Sequence, residues 1–360
     1  MKKIVAIASL ILICSVSLFA QAQLQPLAVV KLDKTESITL AQVKDRVEVY
    51  QKQAGGRVFT PAQRREILDA MIDEKLVVQA AQKEGVTITN TMVNQYFLET
   101  LANQVGKPVT EAEFASLIQQ QTNMSLDEFF TAQLGMNLAG YKNFLKNQLT
   151  VQQYIVSKKS AMLQSVAATD DEIRSFYDLN KASFVQSDIL KLSILVVPKG
   201  QDASAAKKKA EELYKKVKDN KTTFEDLKKQ MVKADSGFQV GDLLVPKNPQ
   251  AAQQLGFDYN ALMSLFKNKI GFLSQITETD SDYQFYTIKD RYDAKMLEIS
   301  DVVQPDSNVT VYEYIKAQLT QQKQAEALSY AAKEVTEELR KPENFQYTKS
   351  ETALESLLNW

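Results

Sequence analysis

At Thr110-Glu111-Ala112-Glu113, Ser125-Leu126-Asp127-Glu128 and Thr169-Asp170-Asp171-Glu172 a hydroxyl residue stands three places before a carboxylate, with an apolar run behind it. At that spacing both side chains satisfy N–H groups that a first helical turn leaves unpaired, so each marks a helix start. Behind them Phe114, Leu117 and Ile118, then Phe129, Phe130 and Leu134, then Ile173, Phe176 and Tyr177 recur at helical steps. Thr39 can cap an earlier helix carrying Val43, Val47 and Tyr50. Thr60 followed by Pro61 opens another, on which Ile67, Leu68, Met71, Ile72, Leu76 and Ala80 form a core-facing stripe that ends at Gly85. A further long helix carries Tyr141, Phe144, Leu145, Leu149 and Ile155. The chain is therefore predicted to be α-helical up to about residue 180.

The pattern changes near Ser187. Leu190, Leu192, Ile194 and Val196 alternate with their neighbours, as a strand does, and Pro198-Lys199-Gly200 ends the run. A Lys-rich helix from Ala203 and a helix capped at Thr222-Thr223 follow. Gly237 and Gly241 mark a loop, a short helix spans 261–266, and Tyr283 to Ile288 reads as a second strand. This order, β-α-α-loop-α-β, predicts a compact α+β unit. Val311, Ile315, Leu319, Ala325, Leu328 and Ala332 then form one apolar stripe on a long helix, which must bury it against something. Beyond Pro342 a loose tail is expected, with Trp360 frayed at its end.

Composition removes several chemistries. The chain has no His, so Ser-His-Asp triads, Cys-His dyads and His-ligated metals are excluded, and the one Cys, Cys14, lies in an apolar leader. Lys+Arg 43 against Asp+Glu 44 gives no basic excess for nucleic acid. No Gly-rich Lys loop offers a nucleotide cradle, and no cofactor is expected. Lys2 and Lys3 precede the apolar run Ile4 to Phe19, and Ala20-Gln21-Ala22 supplies small residues for cleavage, so 1–22 reads as a signal peptide. That run is about 16 residues, shorter than the roughly 20 a spanning helix needs, and no stable membrane insertion is expected. Lipid attachment at Cys14 is disfavoured by bulky Ile13. The expected address is the periplasm.

Several stretches together resemble the SurA/PrsA family of exported foldases. They are Leu68-Asp69-Ala70-Met71-Ile72-Asp73-Glu74-Lys75-Leu76, then Met124 to Phe129 and the Tyr141 to Leu149 helix. Ser193-Ile194-Leu195-Val196, Gly241-Asp242-Leu243, and Ile315, Leu319 and Lys323 complete the set. The resemblance implies a multidomain, mainly α-helical chaperone module (23–185), completed by a C-terminal helix (294–341). Between them it implies an inserted α+β parvulin-like domain (186–293), and the loose tail is 342–360.

The family usually carries His on the first and last strands of the parvulin domain. Here Ser193 and Tyr286 stand at those places, and Val240 replaces the first glycine of the loop. The implied groove is degenerate: Ser193, Asp235, Phe257, Leu262, Met263, Phe266 and Tyr286. Ser193 and Tyr286 are expected to hydrogen-bond to each other and keep its floor satisfied. The plainer reading of the same residues is core packing for the aromatics and a turn for Asp235.

By that resemblance the chain is an ATP-independent periplasmic chaperone for unfolded exported or outer-membrane polypeptides, with a parvulin-like domain of weak or no activity. Clients would meet the groove beside the 311–339 helix or the face of the parvulin-like domain. An active prolyl cis-trans isomerase is the alternative, and an envelope scaffold without chaperone action is a third.

Overall fold

The computed structural model describes residues 24–231, 236–255 and 258–360. The expected signal peptide, Cys14, Asp235 and Phe257 lie outside the described residues. The chain divides into two compact units, one holding residues up to Val166 together with Lys323–Trp360, the other Ala167–Gln322.

The first unit begins with a hairpin, β1 (Pro26–Val30) and β2 (Glu36–Thr39). Gln79, 1% exposed, closes its turn. The Gln79 side-chain oxygen accepts the N–H groups of Leu32 and Asp33, and its amide donates to the Lys34 carbonyl at 2.8 Å. Helices follow as α1 (Leu40–Gln53), α2 (Pro61–Lys83), α3 (Asn90–Val105), α4 (Glu111–Thr122), α5 (Leu126–Leu134), α6 (Leu138–Lys158) and α7 (Ser160–Gln164). The hydroxyl–carboxylate starts form full capping boxes at Thr110 and Ser125, and Thr39 and Thr60 form the same box with Gln42 and Gln63. α5 ends on Gly135 at φ 67, a conformation glycine adopts without a Cβ penalty.

The segment 342–360 is not loose. A strand, β9 (Phe345–Tyr347), pairs antiparallel with β1, so the order is β2-β1-β9. A helix, α14 (Glu351–Leu357), is capped by Ser350, and Leu354 and Leu358 bury fully beside Leu27, Ile38, Val43, Leu68 and Ile72. Each element is too short to show a period in the sequence, and its burial depends on partners some three hundred positions away.

The second unit opens with α8 (Asp170–Asn180), whose capping box at Thr169 is complete. Then come β3 (Val185–Gln186), β4 (Ile189–Pro198), α9 (Ala203–Lys218), α10 (Phe224–Met231), β5 (Gln239–Pro246), α11 (Pro249–Gln254), α12 (Tyr259–Leu265), β6 (Thr277–Glu278), β7 (Asp282–Tyr292) and β8 (Lys295–Met296). The four-stranded antiparallel sheet has the order β5-β4-β7-β6. Gly241, expected in a loop, lies inside β5. Gly241 and Pro246 hid that strand in the sequence, because both lower strand propensity and are tolerated at a sheet edge. One sheet face packs Leu195, Val197 and Phe285 against α9 and α10. The other packs Leu190, Leu192 and Ile288 against α11 and α12.

The long helix α13 (Val311–Leu339) starts at a Thr310–Glu313 box and serves both units. Val311 and Ile315 bury with Ile173, Tyr177 and Leu297 in the second unit. Ala331 and Val335 bury with Val77, Ala80, Tyr154 and Ile155 in the first. The division therefore falls at 166/167 and 322/323 rather than at 185/186 and 293/294, because the apolar face of α8 has its partners on the first turns of α13.

Candidate functional site

Successive side chains of a strand point to opposite faces. Leu190, Leu192 and Ile194 of β4 therefore share one face, and Ser193, Leu195 and Val197 the other. Across from β4 the register runs Leu192↔Ile288, Ser193↔Thr287 and Ile194↔Tyr286. Tyr286 is thus level with Ile194, and Ser193 points away from it. The expected Ser193–Tyr286 hydrogen bond does not form, because the two positions have opposite parity in the sheet.

Ser193 instead donates to Asp242 Oδ1 at 2.7 Å and is 2% exposed. A bulge in β7 leaves Lys289 as the extra residue between Ile288 and Asp290. Lys289 reaches Asp242 Oδ2 at 3.3 Å and pairs with Glu225, while Lys228 reaches the same Asp242 oxygen at 3.1 Å. Burial pushes the Asp242 carboxyl up, but the hydrogen bonds from Ser193, Lys228 and Lys289 outweigh it and hold it at about 2. Asp242 entered the sequence reading only as part of a resemblance. Its role depends on a cross-strand neighbour and was not visible locally.

The sheet face that carries Ile194 and Tyr286 is apolar. Leu262 and Phe266 bury fully, with Ile194 and Tyr286 half-buried against them, and Met263 is half-buried on the same helix. The Phe272 ring lies 6.5 Å from that of Tyr286, and burial pushes the Tyr286 phenol up. Ser274, 6% exposed, clamps the main chain there, accepting the Tyr286 N–H at its hydroxyl and donating its own N–H to the Tyr286 carbonyl, both at 2.9 Å. Four of the seven residues predicted for the groove (Leu262, Met263, Phe266 and Tyr286) share this side of the sheet, and Ser193 does not.

The first unit contains a second candidate, a hollow of about 730 Å³. Val77 of α2, Phe144, Leu149 and Ile155 of α6, and Leu328 and Ala332 of α13 give it apolar walls, with Tyr50 and Tyr96 alongside. Its charged groups are held. Arg46 pairs with Glu74 at 3.1 Å and lies 5.2 Å from the Phe144 ring centroid, and Asn147 donates to Glu74. Asp73 accepts from Arg340 Nε at 2.5 Å, yet burial still pushes its carboxyl up. Among the described residues no helix is long and apolar enough to cross a membrane, and no group of His, Cys, Asp or Glu is arranged to hold a metal ion.

The profile of the PPIC-type PPIase domain matches residues 168–304, all within the second unit. The chain is similar to the foldase protein PrsA of Clostridium acetobutylicum, at 25% identity over 49% of each chain. It is also similar to the chaperone SurA of Chromohalobacter salexigens, at 25% identity over 65% of this chain and 53% of that one. The chain thus spans about half the length of these two relatives. A solved structure described under the SurA-like chaperones PEB4 and Cj1289 of Campylobacter jejuni is 16% identical, covering 90% of this chain and 99% of its own with a TM-score of 0.34. The chain thus carries a PPIC-type PPIase domain at residues 168–304 and is similar to PrsA foldases and SurA chaperones.

Proposed function

We propose that this protein is an ATP-independent periplasmic chaperone that holds unfolded exported or outer-membrane polypeptides, with a parvulin-like domain of little or no isomerase activity. The observation that carries the reading is the apolar hollow of the first unit. Its walls are side chains already fixed in helices, so little ordering cost falls on the protein when a client side chain enters. Weak apolar contacts of this kind become useful when several engage one chain at once. The expected leader at 1–22 supports the periplasmic address.

Isomerisation crosses a barrier of about 18–20 kcal/mol set by amide resonance. Lowering it requires donors placed to favour the twisted amide over the planar one. On the groove face Ile194 stands opposite Tyr286, and the Ser193 hydroxyl is committed to Asp242 on the other face. A floor of this composition can grip a peptide without favouring the twisted form. The match of the second unit to the PPIC-type profile favours the alternative, an active isomerase.

The test is an aggregation-suppression assay with an unfolded barrel protein, run beside a proline-peptide assay on the mature chain. Suppression at stoichiometric amounts with background isomerisation is expected. Ordinary turnover of the proline peptide would replace this reading by the enzymatic one, and absence of suppression would leave only a scaffold.

A further inference from the structure

β5 is the last strand of its sheet, and among the described residues no strand lies beyond it. Its register with β4 is unbroken from Gln239↔Val196 to Pro246↔Ile189. In an antiparallel pair, alternate residues turn their N–H and C=O groups outward. Two bonds fix which ones. The Val240 N–H turns away from β4 to the Met231 sulfur at 3.0 Å, and the Lys247 N–H bonds inward to the Asp188 carbonyl at 2.8 Å. Asp242 and Leu244 therefore present their main-chain groups to the outside. Pro246, at the next outward place, has no N–H to present. Met231 and Pro246 thus close the two ends of the edge and leave a short open ledge between them. Natural edges are commonly blunted along their length, whereas this one is blunted only at its limits.

The two sides of the ledge differ. Leu243, 37% exposed, points to the face where Ile194 and Val196 are half-buried, and a hollow of about 880 Å³ runs along them. Asp242 points to the opposite face, beside Lys228. A strand laid against β5 would place every second side chain over Leu243 and Ile194, and the intervening ones beside an ion pair.

We propose that the outer edge of β5 is a strand-addition site for an extended segment of an unfolded polypeptide in which apolar and polar residues alternate. Free main-chain donors and acceptors select an extended backbone, and the apolar and charged flanks select the alternation. Strands of outer-membrane barrels have that pattern. The inference rests on the chaperone reading for the kind of partner, and adds to it a contact in the second unit made through main-chain bonds.

The experiment uses the mature chain and a ten-residue alternating peptide, with two further versions N-methylated at every second residue in opposite registers. Binding of the plain peptide should slow hydrogen exchange at the Asp242 and Leu244 amides. One methylated register should bind about tenfold more weakly, as expected for losing main-chain bonds, and the other about as well as the plain peptide. Absence of peptide binding, equal binding in both registers, or exchange at β5 unchanged by bound peptide overturns the proposal. So does protection of β5 that rises with protein concentration in the absence of peptide, which identifies a second copy as the occupant. Suppression of aggregation with β5 unprotected sinks the edge site alone. Protected β5 amides without suppression sink the chaperone reading and leave the edge site standing.

Discussion

The Arg64 guanidinium lies 4.4 Å from the centroid of the Trp360 ring and donates to the Leu358 carbonyl at 2.9 Å and to that of Trp360. Arg64 is 4% exposed, so the end of the described chain is held by a buried cation on α2. Trp360→Ala should cost about 1 kcal/mol, because the cation is buried but the ring is 41% exposed. Leu354→Ala, at a fully buried site in the same core, should cost about 2–5 kcal/mol. Denaturant melts of the full chain check both, and unchanged midpoints would mean that 342–360 contributes nothing to the fold.

Ser193→Ala should cost about 1–2 kcal/mol through the lost bond to a charged acceptor and should leave proline-peptide turnover unchanged. A catalytic hydroxyl would move the second reading as well as the first.

The same bond predicts acid behaviour. Asp242 in the folded chain titrates at about 2, below its ordinary value, so its stabilising effect is present above the ordinary carboxylate range and is lost as the pH falls through about 2. In Ser193→Ala one of the bonds holding the carboxylate charged is gone, so the folded value moves back toward the ordinary one and the acid loss should be smaller and complete at higher pH. Melting of the second unit between pH 5 and pH 2 (approximate bounds for a carboxylate window) reads this directly.

Asp73 has the opposite sign. Burial raises its carboxyl despite Arg340, so the folded chain holds that proton more tightly than the unfolded chain does. As the pH falls from neutral into the carboxylate range, the wild type should gain stability relative to Asp73→Asn, which has no proton to take up. Paired melts at neutral and mildly acidic pH check the direction.

The hollow makes its own prediction. Tyr96 is 42% exposed and Leu328 half-buried, so a charge at either place should be tolerated by the fold. Tyr96→Lys and Leu328→Lys should each weaken aggregation suppression several-fold without lowering the melting midpoint by more than a few degrees. Full suppression by the double variant would remove the hollow from the function.

What the sequence made legible follows the range of the interactions. Helix starts at Thr110, Ser125 and Thr169 could be read because capping is settled within four residues. The strand at Gln239–Pro246 could not, since its glycine and proline suit an edge position that only the sheet order defines. Leu262, Phe266 and Tyr286 gather as their apolar character suggests, but the facing of Ser193 depends on a cross-strand register that no local spacing encodes. The limits of the units were hidden for a similar reason, because α8 finds its partners on a helix more than a hundred residues later.

The pairing of β1 with β9 sets an order of events. Lys31 and Gln346, which hydrogen-bond across these strands, are 315 residues apart. A chain made from its amino end carries β1 with one flank bare throughout nearly all of synthesis, while everything the second unit needs has already emerged. The walls contributed by Leu328 and Ala332 arrive just as late. The sticky interior of the first unit is therefore assembled last, after the rest of the polypeptide has had its chance to fold. Under the proposed chaperone reading, a surface whose last walls are Leu328 and Ala332 is finished only after the second unit has emerged, and so cannot seize that unit while it is being made.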